Sequence, residues 1–198
     1  MRLATFAFVT ATLAVTLAGC DRKPEPPAAP PVAETPAPAP TPAPVIEGFS
    51  HQAGFDASGY YLTPTEVKVG NFRLTHMGIG APSDFAQWET GDRASTFGPI
   101  LFEFDDVTSP TQTNEMGGES RTVRVRVLPA AYGFAPDAIR FRGQDPRLGE
   151  VIFTGAFDPA ALTRSRTEGS GPDPVLTGEL RIGQAPARQV AFTYWAGD

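Results

Sequence analysis

The sequence predicts an all-β domain, a single antiparallel β-barrel or β-sandwich of about seven or eight strands with two short helices, following a disordered Pro/Ala linker. Three observations carry this. β-Branched and aromatic residues alternate with polar ones in short runs between Val67 and Tyr194, the period-two signature of half-buried strands. Turn-forming clusters separate the runs at Gly117-Gly118, Pro136-Asp137, Gly143-Gln144-Asp145-Pro146, Gly169 to Pro174 and Gly183. About 150 residues follow the Pro/Ala stretch, enough for one core of ordinary size.

Taken in order, Val67 and Val69, then Phe72 and Leu74, open the alternation, with His76 continuing the same parity. Ile100, Phe102 and Phe104 alternate with Leu101, Glu103 and Asp105, and Val123, Val125 and Val127 with Arg124 and Arg126. Ile139 and Phe141 alternate with Arg140 and Arg142. Val151 and Phe153 follow, then Leu176, Leu180 and Ile182, and last Val190, Phe192 and Tyr194. Two helices interrupt the strands. Ser83 is positioned to cap Asp84 to Trp88, where Phe85 and Trp88, three apart, share a face that plugs the core. Asp158-Pro159 opens the second, with Pro at its first position, Leu162 facing inward and Arg164 and Arg166 towards the negative end of the dipole. There is no tandem repeat, so the strands form one domain.

The formal net charge is −6, and from Gly48 onward 13 Lys and Arg stand against 18 Asp and Glu. Such a balance has no electrostatic footprint for nucleic acid. Arg124, Arg126, Arg140 and Arg142 still share the polar parity of two successive strands, so one face of that hairpin is expected to be basic. That face would be an anion site for a phosphate, a lipid headgroup or a glycan carboxylate. The preferred alternative is internal. If the strand of Glu103 and Asp105 pairs with that of Arg124 and Arg126, carboxylates oppose guanidiniums on the wet face, each pair contributing about 0.2–1 kcal/mol.

Catalytic constellations are sparse. Two histidines, His51 and His76, with no thiol beyond Cys20, leave a three-ligand zinc site short unless carboxylates join it. Ser50 and His51 are sequence neighbours, and GFSHQ departs from the G-x-S-x-G elbow at its last position. Gly78-Ile79-Gly80 faintly echoes a phosphate loop but lacks the third Gly and a βαβ setting. Glu103, Asp105 and Asp106, with Asn114 or Glu115, match no EF-hand spacing. The expectation is no enzyme, no metal and no cofactor.

Residues 24–44, PEPPAAPPVAETPAPAPTPAP, hold no large apolar group and favour polyproline II. Such a spacer reaches about 65 Å when extended. Ahead of it, Met1-Arg2 leads into an uncharged apolar stretch from Leu3 that ends Leu17-Ala18-Gly19-Cys20. A positive start, an apolar middle and a small-residue site make a secretory signal. With Cys directly after the small pair, it resembles the lipobox of bacterial lipoproteins. The resemblance implies diacylglyceryl transfer to the Cys20 thiol, cleavage after Gly19 and acylation, palmitate included, of the new amino terminus. Two or more chains hold a protein stably at a bilayer. The expected boundaries are a signal peptide at 1–19, a lipidated terminus and linker at 20–47, and a β-rich globular domain at 48–198. The expected location is the cell envelope, lipid-anchored and facing the periplasm. Asp21 resembles the inner-membrane retention signal of enterobacterial lipoproteins, a rule not uniform among bacteria, so both membranes stay open.

A second resemblance covers the domain. Phe72-Arg73-Leu74-Thr75-His76-Met77-Gly78-Ile79-Gly80 resembles the F-x-V-x-H-x-G-I-S motif of the YceI-like family. Val175-Leu176-Thr177-Gly178-Glu179-Leu180-Arg181-Ile182-Gly183 resembles its V-T-G-D-L-T-I-x-G, with Val190 and Phe192 following. The family's R-D-x-H-L region is poorly echoed around Phe141 to Leu148, and the ILFEFDDV strand fits badly. The resemblance implies a lipocalin-type barrel whose lumen takes a polyisoprenoid or amphiphilic chain, with Phe141, Phe153 and Phe192 among the wall residues. Packing against neighbours is the other role open to the same three. The expected function is a non-catalytic envelope lipoprotein acting as a tethered scaffolding or interaction module, its exposed loops such as Thr108 to Ser120 meeting an envelope protein. The alternative is a periplasmic carrier of a hydrophobic or isoprenoid-like ligand.

Overall fold

Residues 46–113, 117–169 and 171–197 are described by the computed structural model, all of them in the unit Ala43–Asp198. Cys20 and the Pro/Ala linker lie outside the described residues. Phe49–His51 (β1), Gly59–Leu62 (β2), Lys68–Val69 (β3) and Phe72–Ile79 (β4) precede helix α1, Pro82–Glu89. Ile100–Asp106 (β5) is followed by a small hairpin of Thr111–Thr113 (β6) and Glu119–Arg121 (β7). Arg124–Val127 (β8), Pro129–Phe134 (β9), Ile139–Asp145 (β10) and Gly149–Phe157 (β11) lead to α2, Pro159–Glu168. Leu176–Ile182 (β12) and Arg188–Trp195 (β13) complete the set.

Apart from the β6–β7 hairpin, the strands join one sheet curled into a half-barrel, in the order β1-β9-β10-β11-β12-β13-β2-β4-β5-β8 with β3 on β4. Its ladders are antiparallel except that of β1 on β9. Only Leu128 separates β8 from β9, although they stand near opposite ends of this order. One bent run of chain therefore ladders with β5 through its first half and with β10 through its second. Pro129 starts the second half, having no N–H to offer, and the register shifts opposite it between Arg142 and Gly143. Glycine is needed at that crossing. A Cβ on Gly143 would meet Val127 Cγ1 at 2.6 Å and the Leu128 carbonyl at 2.7 Å.

The apolar parity is the buried one: Phe102, Phe104, Val125, Val127, Phe141, Phe153, Leu180 and Phe192 all face the core. Ring centroids of Phe102 and Phe141 lie 4.9 Å apart, Phe102 and Phe153 5.8 Å, Phe153 and Phe192 5.6 Å. Each such contact contributes about 0.5–1.5 kcal/mol beyond burial itself. α1 packs against β1: His51 stacks on Phe85 at 4.0 Å, and Phe49 meets Trp88 edge-on at 6.3 Å. α2 opens as its sequence predicts, with the Asp158 carboxylate accepting from the Ala161 N–H at 2.9 Å and Leu162 buried. Among the described residues no helix is long and apolar enough to cross a membrane.

Three expectations change. Thirteen strands stand among the described residues instead of seven or eight. β1, β2, β3, β6 and β7 are only two to four residues long and show no readable period, and Pro129-Ala130-Ala131 hides the alternation of β9. The first helix begins at Pro82 with Ala81 at its cap, because Asp84 reaches back to accept from the Ala81 N–H at 2.8 Å. The four arginines do not share a hairpin. β10 ladders with β9 and β11, so Arg140 and Arg142 stand apart from the pairing of Arg124 and Arg126 with β5, and Arg142 Nε donates to the Ile46 carbonyl at 3.2 Å.

Candidate functional site

The richest chemistry on the molecule lies on the outer face of β13, β2, β4, β5 and β8. It is set out in three cross-strand rows. Ladder register places Trp195 beside Tyr60, Tyr60 beside Gly78 and Gly78 beside Leu101. The second row is His76, Glu103 and Arg126, and the third Arg73, Asp105 and Arg124. A groove of about 620 Å³ opens over the first two rows and part of the third, with Phe97 on its rim.

A β-bulge builds the second row. The β4–β5 register slips between Leu74 and His76, leaving Thr75 as the extra residue, its hydroxyl donating to the Glu103 carbonyl at 2.7 Å. Uninterrupted alternation would turn His76 inward with Leu74. The bulge reverses that parity, correcting the expectation: Met77 and Ile79 go to the core and His76 faces the groove. Tyr60 meets the His76 ring edge-on at 5.0 Å and lies tilted by 44° against the Trp195 ring at 5.5 Å. Gly78 keeps the first row open, since a Cβ there would stand 3.3 Å from Leu101 Cγ.

Arg126 Nε donates to Glu103 Oε2 at 2.6 Å, and its Nη1 donates to the Thr96 carbonyl at 3.4 Å, tying down the loop that carries Phe97. Arg124 sits 3.6 Å from both Glu103 Oε1 and Asp105 Oδ1, and Arg73 lies 3.7 Å from Asp105 Oδ2. At those distances the charges attract without a formed hydrogen bond. The expected pairing of Glu103 and Asp105 with Arg124 and Arg126 is thus present, with the guanidiniums on the wet side and the carboxylates beneath them. Glu103 is 4% exposed and Asp105 6%, because the overlying guanidiniums shield them. Asp105 Oδ1 is buried and accepts no hydrogen bond among the described residues. Burial, more than any neighbour, holds the His76 imidazole below its ordinary pKa. The Glu103 and Asp105 carboxylates oppose that shift and the two guanidiniums reinforce it. His76 is therefore neutral at pH 7, with one donor and one acceptor nitrogen.

The remaining candidates are dispersed. Phe141, Phe153 and Phe192 are each 0% exposed, pack in the core with Phe102, and do not line this groove. Ser50 and His51 alternate along β1, and His51 is spent on the Phe85 stack. The Ala81 amide, next after Gly78-Ile79-Gly80 at the end of β4, is occupied by Asp84. Asp106 accepts from the Thr108 N–H and hydroxyl, at 2.9 and 2.6 Å, while Asn114 and Glu115 lie outside the described residues, as does Cys20. No three His, Asp or Glu residues gather as a metal site among the described residues.

Tyr60 and Trp195 were missed by pattern reading, although a signal existed. Adjacent aromatics on one strand, Tyr60-Tyr61 and Tyr194-Trp195, must send one ring to each face. Tyr61 and Tyr194 take the core, so their neighbours face out. A second groove of about 390 Å³ lies between residues 63–67 and Arg188–Ala191, where the β13–β2 ladder has not yet begun. Its lining carries only Glu66 and Arg188 as charges. The chain matches no protein-family model, no curated protein and no solved structure.

Proposed function

We propose that this chain is a lipid-anchored cell-envelope protein that works by binding, a tethered interaction module whose partner docks in the groove over His76 and Glu103. The observation that carries it is Glu103, a carboxylate 4% exposed that still lines a groove rimmed by Tyr60 and Phe97, exposed by 41% and 46%. An ion pair whose carboxylate is buried while its arginine is half exposed is weak as a source of stability, and apolar residues of similar size serve a sheet as well or better. Charge kept there together with exposed rings suits recognition. The groove is lined by no Ser, Thr, Cys or Lys, so it offers no side-chain nucleophile of those kinds. Lipid on Cys20 and a linker reaching about 65 Å would present it away from a bilayer surface.

The carrier alternative draws on the bent β8–β9 run. Counted as one stave, it links the two ends of the half-barrel in the order β2-β4-β5-β8/β9-β10-β11-β12-β13, which is compatible with the lipocalin-type barrel that the YceI-like resemblance implies. A luminal ligand would have to displace Phe102, Phe141, Phe153 and Phe192, which occupy that interior.

The anchoring is tested by expressing the full chain and Cys20→Ser in a bacterium, with fractionation and intact-mass analysis. The parent is expected in membranes with the added mass of its acyl chains, and the variant free of both. An unmodified parent, or a variant that stays with the membrane, contradicts the proposal.

A further inference from the structure

The groove's chemistry says what kind of partner it takes, granted that it is the docking site proposed above. We propose that it binds an acidic oligosaccharide, a chain of several sugar rings bearing carboxylates. Trp195 and Tyr60 present neighbouring rings on the outer face, and the electron-rich face of such a ring attracts the C–H face of a sugar. Next to them the second row supplies an acceptor in Glu103 and a neutral imidazole in His76, matching hydroxyls that both give and accept hydrogen bonds.

Arg124 provides the charge selection. Its guanidinium is held between two carboxylates at 3.6 Å, but none of its N–H groups makes a hydrogen bond to the described residues. It is pre-aimed yet uncommitted, the state from which a planar fork engages a carboxylate. Here three guanidiniums, of Arg73, Arg124 and Arg126, face two carboxylates, and with His76 neutral these described groups sum to one positive charge.

Size and backbone favour a saccharide over a peptide. From β13 to β8 the site crosses four strand spacings, about 19 Å, more than one sugar ring fills. Its floor strands β2, β4 and β5 each have ladder neighbours on both sides, so an extended peptide could add to the sheet here only at β8, the end strand of the order, and not across the floor. The charged second and third rows disfavour an acyl chain.

The test uses the full lipidated chain in detergent micelles, titrated calorimetrically with uronic-acid oligosaccharides and their methyl esters, which keep the rings and remove the charge. An array of such chains, differing in sugar and linkage, selects the probe. Binding of an acidic chain is expected, about tenfold weaker for its ester. Trp195→Leu and, separately, Tyr60→Leu should each weaken it about tenfold. Arg124→Gln should abolish the preference for acid over ester. Failure of every acidic chain to bind, preference for the esters, or binding untouched in both aromatic variants overturns the assignment. A polypeptide crosslinked in the groove, with no saccharide bound, overturns it too while leaving the docking role intact.

Discussion

Arg126 Nε donates a 2.6 Å hydrogen bond to Oε2 of Glu103, which is 4% exposed on a face that strand alternation alone would leave to water. The pair faces each other across β5 and β8 and fixes both the groove floor and, through Thr96, its rim. Its arginine is 47% exposed, so solvent screens the pair from that side.

Removing Arg126 takes away the hydrogen bond to the buried Glu103 carboxylate and leaves it only the more distant Arg124, at 3.6 Å. Arg126→Met is expected to lower stability by about 1–3 kcal/mol in chemical denaturation. Glu103→Gln should cost less, since no buried charge is left behind. The double variant should lose less than the two singles added together. Strict additivity would show that the two side chains do not act as a pair.

Acid should loosen the fold in a window set by the histidines. His51 and His76 are both held below 6.5, in each case chiefly by burial. The unfolded chain therefore takes up protons at these two sites before the folded chain does. Stability is full above pH 6.5 and falls as the pH drops through it. The denaturation midpoint should be lower near pH 5.5 than near pH 7.5, with the difference reduced in His51→Gln/His76→Gln. An unchanged slope in that double variant would place the titration elsewhere.

The crossing of β8, β9 and β10 leaves no room for a methyl group. Gly143→Ala brings a Cβ within 2.8 Å of Val127, Leu128 and Phe141 atoms, so it should destabilise by about 1–3 kcal/mol. Gly133→Ala, with nothing inside 4 Å of its Cβ, is the control and should stay within about 0.5 kcal/mol.

Phe153 separates packing from carriage. Phe153→Ala should cost about 3–5 kcal/mol, as for a fully buried ring. Binding at the outer groove, measured under conditions where the variant stays folded, should be unaffected. A variant of nearly native stability that loses a hydrophobic ligand would favour the lumen instead.

Burial was legible where parity alone decides it. Phe102 and Phe104 went inward, Glu103 and Arg126 came out facing each other, and Asp158-Pro159 started a helix at the expected place. What escaped depends on single residues that alternation does not register. The Thr75 bulge reversed His76, and the bend at Leu128 and Pro129 carried one chain run between two strands far apart in sheet order. Gly59–Leu62 was too short to read as a strand, so Tyr60 could not be assigned a face. The groove is assembled from five strands distant in sequence, and only their register reveals it.

One measurement bears on tether and groove together: photocrosslinking in intact cells from an unnatural residue at Tyr60, compared with the same residue at exposed Gln144 on β10. A discrete adduct, protein or glycan, is expected from Tyr60 in the membrane fraction, absent from Gln144 and lost when Cys20 is replaced by serine. Equal labelling at both positions, no adduct at Tyr60, or an adduct indifferent to Cys20 would contradict a lipid-tethered binder that works through this face.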